Sequence, residues 1–465
     1  MIKLALPKGR LQNATAIFLK RVGIDFPEYH PSSRSYRPKS RDFPKLFAKV
    51  FQEKDIAIQV AIGNYDLGIC GLDWVQELLI KYPSDAIVKL RDLGYGRRSL
   101  YMVASKSSRW RSIEELKAND GLVRIVSEYP NLAESFALNL RLKRFQILPV
   151  WGAAEAYPPE NADLALISES SSRRLPAKGL VPIAEILTSS AFLIANRVSL
   201  EKKDISSLLK PFYKAKFEVE EVEEPVLSEG ESGEEFELLK EDLVSLALPD
   251  GHQQEPTMKF LKSAGLRLKG YQQPLPTRRP LLELDGFAAK VIRPQDMPLQ
   301  VANGNFDLAI TGRDWLLDHL CRFPSSPVEE LADLGFGKVR IVAVVSNKLP
   351  IDRVSQLRSL LKEGQIPVLR LASEYVNLAD KYARDNHLAP YKVIPTWGAS
   401  EAFLPEDADV LIENTQTGKT LAKHNLKIID TLFESSACLI ANKASLEAKK
   451  EKVNFFLDKL SLRQL

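Results

Sequence analysis

The chain has 465 residues, of which 45% are hydrophobic, and its formal net charge is only +4. This length predicts two or more domains with real cores, and the small charge gives no argument for a nucleic-acid partner. Cys70, Cys321 and Cys438 lack paired or metal-ligand spacing, which fits a reducing compartment. With no export signal at the start and no run of about 18 apolar residues, we expect a cytoplasmic protein without a membrane span.

Short apolar runs alternate with longer amphipathic stretches through the first 200 or so residues. Strand–helix alternation of this kind predicts α/β domains with mostly parallel sheets. Because the chain from Tyr101 to about Leu187 carries its own strand–helix series, we expect two lobes with a ligand cleft between them. The predicted strands are Ile2–Leu6, Leu67–Cys70, Ser99–Ala104, Val123–Ser127 and Leu164–Ile167, and the predicted helices are Asn13–Val22, Leu72–Lys81 and Leu132–Leu142.

The same sequence pattern occurs twice. Asn64-Tyr-Asp-Leu-Gly-Ile-Cys-Gly-Leu-Asp-Trp74 returns as Asn305-Phe-Asp-Leu-Ala-Ile-Thr-Gly-Arg-Asp-Trp315, and other segments return at nearly the same offset. The offset far exceeds the roughly 20–50 residues of solenoid repeats, so the pattern indicates a duplicated domain. Four tryptophans also pair across the copies, and core packing is their favoured role over stacking on a base. They are Trp74, Trp315, Trp151 and Trp397.

The repeat defines the predicted domain organisation. The first copy spans 1–216, with lobes at about 1–100 plus 188–216 and at 101–187. Residues 217–242 are rich in Glu and contain Pro and Gly, which predicts a flexible acidic linker. The second copy spans 243–465, with lobes at about 243–338 plus 434–465 and at 339–433.

A candidate phosphate-binding turn lies in the second copy, at Thr415-Gln-Thr-Gly-Lys-Thr420. A Thr/Gly-rich turn between a strand and a helix presents backbone N–H groups to a phosphate, although an ordinary turn is the equal alternative. Glu413, at the end of the preceding strand, could accept hydrogen bonds from sugar hydroxyls. The equivalent turn of the first copy, Glu169-Ser-Ser-Ser-Arg-Arg174, lacks the glycine, and a basic surface loop is its favoured reading.

Candidate cations for a polyphosphate show the opposite distribution. The first copy has Lys8 and Arg10 directly after its opening strand, where the second copy has Asp250, which would repel a phosphate. The second copy adds Arg293 and Arg313, either of which could equally be a solvated surface residue.

Taken together, these segments resemble the catalytic core of the ATP phosphoribosyltransferase family, twice over. The combination is specific, although each segment alone is weak. The segments that carry the resemblance are Leu4-Ala-Leu-Pro-Lys-Gly-Arg-Leu11, Arg293-Pro-Gln-Asp296, Asp307-Leu-Ala-Ile-Thr-Gly-Arg-Asp314, Glu374-Tyr-Val-Asn-Leu378, and Glu413 through Thr417-Gly-Lys-Thr-Leu421.

The resemblance implies two copies of a two-lobed periplasmic-binding-protein-like (type II) fold with the active site between the lobes. It implies transfer of the phosphoribosyl group of phosphoribosyl pyrophosphate to N1 of ATP with Mg2+, the first step of histidine biosynthesis. Glu413, where the family usually has Asp, would hold the ribose hydroxyls. The other implied site residues are Lys8, Arg10 and Arg293 as catalytic cations, Arg313 and Glu374 as substrate contacts, and Thr415, Gln416, Thr417, Gly418, Lys419 and Thr420 as the cradle of the 5'-phosphate.

Neither copy keeps the full set of these residues, which leaves three readings open. The copies could pack as an internal pseudo-dimer with one composite site, or the second copy could work alone. Alternatively, both sites could have decayed, leaving a binding or regulatory protein; a secreted solute-binding protein is disfavoured by the missing export signal. We expect no room after the core for the histidine-binding domain of longer family members, so any feedback control is expected to need another subunit or another surface. A homo-oligomer and a regulatory subunit are the partners left open.

Overall fold

The computed structural model describes residues 1–33, 35–214, 243–272 and 277–462. The predicted acidic linker, 217–242, lies outside the described residues. Each copy is an α/β structure in which strands and helices alternate. The elements of the first copy are β1 (Ile2–Pro7), α1 (Gln12–Arg21), β2 (Leu46–Phe51), α2 (Glu53–Ala61), β3 (Leu67–Gly71), α3 (Leu72–Lys81), β4 (Ile87–Asp92), β5 (Arg98–Ser105), α4 (Ile113–Lys117), β6 (Val123–Ser127), α5 (Pro130–Asn139), β7 (Phe145–Pro149), β8 (Leu164–Glu169), β9 (Leu180–Ser189), β10 (Ala191–Asn196), α6 (Arg197–Lys202) and α7 (Ser206–Lys214).

The second copy repeats this order with small additions. Its elements are β11 (Val244–Pro249), α8 (Gln254–Ser263), β12 (Leu268–Lys269), β13 (Leu281–Leu282), β14 (Phe287–Ile292), α9 (Met297–Ala302), β15 (Leu308–Gly312), α10 (Arg313–Arg322), β16 (Val328–Asp333), β17 (Val339–Ser346), α11 (Val354–Lys362), β18 (Leu369–Ser373), α12 (Val376–Asp385), β19 (Tyr391–Pro395), β20 (Val410–Thr415), α13 (Lys419–Lys423), β21 (Leu426–Ser435), β22 (Ala437–Asn442), α14 (Lys443–Ala448) and α15 (Lys450–Lys459).

Among the described residues, each copy contains two five-stranded sheets, and the second copy adds a two-stranded sheet, β12-β13. In the first copy their strand orders are β2-β1-β3-β10-β4 and β7-β6-β8-β5-β9, and in the second copy they are β14-β11-β15-β22-β16 and β19-β18-β20-β17-β21. The predicted α/β class, with two lobes in each copy, is confirmed. The prediction of mostly parallel sheets is wrong: β1 pairs in parallel with β2 and β3, but β10 is antiparallel to β3 and β4. The chain forms the first sheet up to β4, builds the second sheet from β5 to β9, and then returns to the first sheet as β10. On this return, β10 runs antiparallel to its neighbours β3 and β4.

Apolar strands and amphipathic helices supply a separate core to each lobe. In the first lobe, Leu4 and Leu6 of β1 pack with Phe18 of α1 and Ile69 of β3, all almost fully buried. The predicted helix Leu132–Leu142 begins earlier, as Pro130–Asn139, because Pro130 occupies its first turn. Proline is favoured there, since the first helical amides lack partners inside the helix.

The lobes of each copy are joined by a carboxylate that caps a helix. In the first copy, Glu77 on α3 accepts hydrogen bonds from the amides of Asn131 and Leu132, at 2.9 Å each, in the first turn of α5. In the second copy, Asp318 on α10 accepts hydrogen bonds from the corresponding amides of α12, at 3.0 and 2.9 Å. A negative charge at these otherwise unpaired amides fixes the second lobe against the first.

Spatial contacts divide the chain into two compact units that do not coincide fully with the two copies. One unit contains Met1–Pro149, the described residues 162–214 and Trp397–Ala402. The other contains Val150–Asn161 together with most of the second copy. Each unit therefore includes a short segment that the repeat assigns to the other copy.

All three thiols are free; Cys70 and Cys438 are buried and Cys321 is partly exposed. Within the described ranges, no helix combines the length and apolar character needed to cross a membrane.

Candidate active site

The candidate phosphate turn follows directly from β20. Thr415 ends the strand and is buried, while Gln416, Thr417, Lys419 and Thr420 are exposed. The Thr415 hydroxyl accepts a hydrogen bond from the Gly418 amide at 3.0 Å, and the Thr417 hydroxyl lies 3.5 Å from the Lys419 amide. The turn is therefore held by its own hydroxyl–amide contacts, and it places the Thr417 and Thr420 hydroxyls and the Lys419 ammonium group on exposed residues.

Gly418 sets the shape of this turn. Its φ is +71°, in the left-handed region where a side chain is strained, and a β-carbon built there would have no atom within 4 Å. Open space beside a glycine of this conformation is the condition for close approach of a ligand to the backbone. The first copy has Ser172 at the equivalent position.

Two predicted substrate carboxylates lie on or next to the paired strands β18 and β20. Glu413 is half-buried on β20, and its Oε1 accepts hydrogen bonds from the amide of Asn414 at 2.9 Å and from its side-chain Nδ2 at 3.2 Å. Glu374 is half-buried immediately after β18, the strand that pairs with β20. Both carboxylates thus flank the strand ends that lead to the turn.

A buried polar chain connects this strand to the other lobe. The Asn414 Nδ2 donates to the Tyr375 hydroxyl at 3.0 Å, and that hydroxyl donates to Asp314 Oδ2 at 2.5 Å. Asp314 Oδ1 accepts a further hydrogen bond from the Ser435 hydroxyl at 2.8 Å. Burial raises the pKa of Asp314, although these hydrogen bonds oppose the shift. The chain of contacts fixes the position of β20 relative to α10.

Sequence reasoning quoted Asp314 in the repeated motif but gave it no role. The available signal was the motif's glycine: a β-carbon at Gly312 would lie 2.2 Å from Asp314 Oδ1, and one at Gly71 would lie 2.1 Å from Asp73 Oδ1. Real β-carbons do not approach so closely, so the glycine makes room for the aspartate. The long-range partners Tyr375 and Asn414 could not be found from spacing.

The tryptophans of the motif pack against tyrosines, as favoured. Trp315 stacks on Tyr375 with ring centroids 4.2 Å apart, and Trp74 stacks on Tyr129 at the same distance. These stacks occupy one face of each indole, and in the first copy the Lys54 ammonium lies 4.8 Å from the Trp74 ring centre. The rings therefore act as packing elements at the junction of the lobes.

Arg293 belongs to a network of ion pairs centred on Asp250. Asp250, at the position of Lys8, is only 8% exposed and lies between Arg278 Nη1 at 3.0 Å and Arg293 Nη1 at 3.2 Å. Arg278 also binds Glu155 through Nε at 2.9 Å. The two guanidinium groups are balanced by the carboxylates of Asp250 and Glu155, so the aspartate is paired and this corner of the second copy carries no net charge from the network.

The other predicted cation of the second copy is also paired. Arg313 Nε lies 3.1 Å from Glu330 Oε2, and its side chain is 44% exposed. An exposed pair of this kind is weak, so the guanidinium remains available to a more highly charged ligand.

Lys8 and Arg10 lie in the unit built mainly from the first copy. Lys8 Nζ is 3.3 Å from the Tyr36 hydroxyl, and burial lowers the pKa of Lys8 while the Glu401 carboxylate opposes the shift. Arg10 binds Glu53 Oε2 at 2.9 Å and the Gly96 carbonyl at 3.1 Å. Burial alone would lower the pKa of Arg10, but Glu53 and a neighbouring aspartate raise it.

The turn of the first copy differs from the predicted basic surface loop. Arg173 is exposed as expected, but Arg174 is mostly buried and lies 3.7 Å from Glu169, which is 3% exposed. The turn differs from the prediction because the buried carboxylate of Glu169 needs cations around it, and the turn supplies them.

In the part of the chain that the structure describes, no group of three His, Cys, Asp or Glu side chains is placed to hold a metal ion.

Comparison with known proteins agrees with the resemblance to the ATP phosphoribosyltransferase family that the sequence motifs indicate. The family HisG, ATP phosphoribosyltransferase, matches residues 52–214 and 293–462. The ATP phosphoribosyltransferase of Chlorobaculum parvum is 35% identical over 219 residues, which cover 46% of this chain and 68% of that protein. The corresponding protein of Chlorobium phaeovibrioides is 34% identical over 218 residues, 45% of this chain and 68% of that protein.

Among solved structures, the ATP phosphoribosyl transferase (HisG:HisZ) complex from Thermotoga maritima is similar at 24% identity and a TM-score of 0.38, covering 47% of this chain and 97% of that chain. The two family matches together span more than half of the chain, and each falls in one copy of the repeat. The chain therefore belongs to the ATP phosphoribosyltransferase family, with its catalytic core matched in two separate regions.

Proposed function

We propose that the chain is an ATP phosphoribosyltransferase, which joins the phosphoribosyl group of phosphoribosyl pyrophosphate to N1 of ATP and releases pyrophosphate. It would perform the first step of histidine biosynthesis, in the cytoplasm. The observation that carries the proposal is the exposed turn Thr415–Thr420, with open space beside Gly418 and Glu413 two residues before it. Family membership supplies the substrates, and the turn supplies a place for a sugar phosphate.

In this reaction the bond from C1 of ribose to the diphosphate breaks, and the diphosphate leaves with the bonding electrons. A new bond forms between C1 and N1 of the adenine ring. The chain's contribution would be to position the two substrates and to stabilise the departing charge. The turn would hold the 5'-phosphate, Glu413 the ribose hydroxyls, and Arg293 and Arg313 the anionic groups.

The buried chain from Asp314 through Tyr375 to Asn414 would serve this positioning. It holds Asn414 in place, and Asn414 in turn donates to the Glu413 carboxylate. A carboxylate oriented by a neighbouring amide is pre-organised for the ribose hydroxyls, which reduces the entropy lost on binding. Asp314 and Tyr375 are thus proposed as positioning residues.

Mg2+ would arrive with the diphosphate as part of the substrate. The described residues offer no ready cluster of metal ligands, whereas phosphate oxygens are the ligands that Mg2+ prefers. The ion would neutralise the leaving group, and the chain's own cations would bind the rest of its charge.

The rival proposal is an inactive protein that binds the same ligands without turnover. It is favoured by two substitutions within the repeat: Asp250 stands in the place of Lys8, and Glu169 stands in the first-copy turn. Lys8 and Arg10 remain predicted catalytic residues, and loss of turnover in Lys8→Met would support that role.

The experiment is an assay of the full chain with ATP, phosphoribosyl pyrophosphate and Mg2+, following phosphoribosyl-ATP by absorbance. Gly418→Val is expected to lower kcat/KM at least tenfold, because the left-handed backbone and the ligand both exclude the added side chain. Ser172→Val, at the equivalent position of the first copy, is the matched control and should leave turnover unchanged. Binding of both substrates without product would favour the rival, and unchanged turnover in Gly418→Val would refute the assignment of the turn.

A further inference from the structure

Strand register places Glu169 of the first copy where the second copy has Thr415. Glu169 is the last residue of β8 and pairs with Ser99, the second residue of β5. Thr415 is the last residue of β20 and pairs with Arg340, the second residue of β17. Glu169 and Thr415 therefore occupy equivalent positions, each at the strand end where its turn begins.

The Glu169 carboxylate fills the first-copy turn with negative charge. Its Oε1 accepts hydrogen bonds from the amide of Ser170 at 3.0 Å and from its hydroxyl at 3.3 Å, and its Oε2 accepts one from Lys178 at 2.6 Å. Arg174 Nε lies 3.7 Å from Glu169 Oε1, and Arg98 Nη1 lies 3.9 Å from the same oxygen. A buried oxyanion held by an amide, a hydroxyl and several cations is the arrangement that a phosphate would otherwise receive.

Burial alone would raise the pKa of Glu169, but the hydrogen bond and charge of Lys178 lower it. The group is therefore ionised at neutral pH. A phosphate entering this turn would meet a fixed like charge and would have to displace the carboxylate from its cations.

The cations around Glu169 are specific to the first copy. The positions of Lys178, Arg174 and Arg98 are taken in the second copy by His424, Thr420 and Val339. The carboxylate and the three cations that pair with it thus occur together in the first copy, and none of the three is kept at its position in the second copy, whose turn has Lys419 as its cation. This matches the requirement that a buried carboxylate be paired.

We propose that Glu169 occupies, in the first copy, the place that the sugar phosphate takes in the second, so that each chain binds one phosphoribosyl pyrophosphate, at Thr415–Thr420. This inference rests on the proposed function of the second-copy turn. On this inference, the first-copy turn holds a structural cluster of ion pairs and binds no substrate.

The test is the stoichiometry of phosphoribosyl pyrophosphate binding with Mg2+ and without ATP, measured by titration calorimetry on the full chain. We expect one site per chain in the wild type and none in Gly418→Val. Two sites, or one site retained in Gly418→Val, would overturn the inference while leaving the proposed activity standing. No binding to the wild type would overturn the proposed function and this inference together.

A second variant tests the role of the carboxylate directly. In the Gly418→Val background, Glu169→Gln leaves Lys178, Arg174 and Arg98 without their shared counter-ion, so weak binding of inorganic phosphate should appear, at least tenfold tighter than in Gly418→Val alone. Equilibrium dialysis with radioactive phosphate measures it, and circular dichroism confirms that the variant is folded. An unchanged affinity for phosphate would refute the equivalence of the carboxylate and the phosphate; should the variant not fold, the wild-type stoichiometry alone decides.

Discussion

Burial of the Glu53 carboxylate makes the stability of the first copy depend on pH in an unusual direction. Glu53 lies in the first turn of α2 and is 8% exposed. Burial raises the pKa of Glu53 from 4.5 to about 6, the Arg10 guanidinium opposes this, and the Asp73 carboxylate adds to it. The folded state therefore binds a proton on Glu53 more tightly than the unfolded state does.

The size of the effect follows from linkage. The difference between 4.5 and about 6 corresponds to roughly 2 kcal/mol in the free energy of unfolding, at about 1.4 kcal/mol per pKa unit. Because the folded-state pKa is the higher one, this stabilisation is present below pH 4.5 and is lost as the pH rises through about 6. Most paired carboxylates act in the opposite sense.

The perturbation is Glu53→Gln, which keeps the size of the side chain but cannot ionise. Urea unfolding of wild type and variant between pH 4 and 7.5 measures the difference in free energy of unfolding. We expect this difference to move in favour of the variant by about 2 kcal/mol over that range. The second copy has Pro294 at this position, so it has no equivalent carboxylate that would add to the effect.

The opposite trend would refute the reasoning. If the variant became relatively less stable as the pH rose, the attraction between Glu53 and Arg10 would outweigh the burial of the carboxylate. The same measurement bears on function, because an Arg10 held tightly by Glu53 must exchange that partner for a diphosphate.

Two further predictions concern the second-copy site. Tyr375→Phe removes the hydroxyl that donates to buried Asp314, so it should lower the free energy of unfolding by about 1–3 kcal/mol in urea titrations. Tyr391→Phe is the control: it loses a surface contact to Asp380 and should change the free energy of unfolding by less than about 0.5 kcal/mol. Thr415→Val removes the acceptor of the Gly418 amide and should raise KM for phosphoribosyl pyrophosphate, while Thr415→Ser keeps the acceptor and should not; equal values of KM in the two variants would contradict a role for this hydroxyl.

Local pattern predicted part of the elements of the first copy, such as β1, β3 and α3, but not β2, β4 or the directions of all strands. Leu72–Lys81 was predicted with its observed bounds, because its apolar spacing and the preceding glycine mark both ends. The antiparallel strands β10 and β22 were missed because their direction depends on when the chain returns to the first sheet, which no local signal records.

A candidate site could be proposed from the sequence most directly where its residues are neighbours in the chain. The turn Thr415–Thr420 is contiguous, so its composition alone suggested a phosphate cradle. The contacts of Asp314 with Tyr375, of Asp250 with Arg278, and of Glu169 with Arg98 join residues 28 to 71 positions apart. Such pairs are created by the register of strands and the packing of lobes, which a single sequence does not reveal.

The segment Val150–Asn161 limits how the repeat could be cut apart. Lys290, 6% exposed in the second copy, donates to Glu160 at 2.6 Å and to Asn161, and Arg279 shares Glu160 at 2.8 Å. A truncated protein that begins after the predicted acidic linker would lack these acceptors, and the nearly buried Lys290 ammonium group would lose both of them. The two copies cannot therefore be separated at the boundary of the repeat, because the second copy uses a segment of the first to pair its nearly buried Lys290.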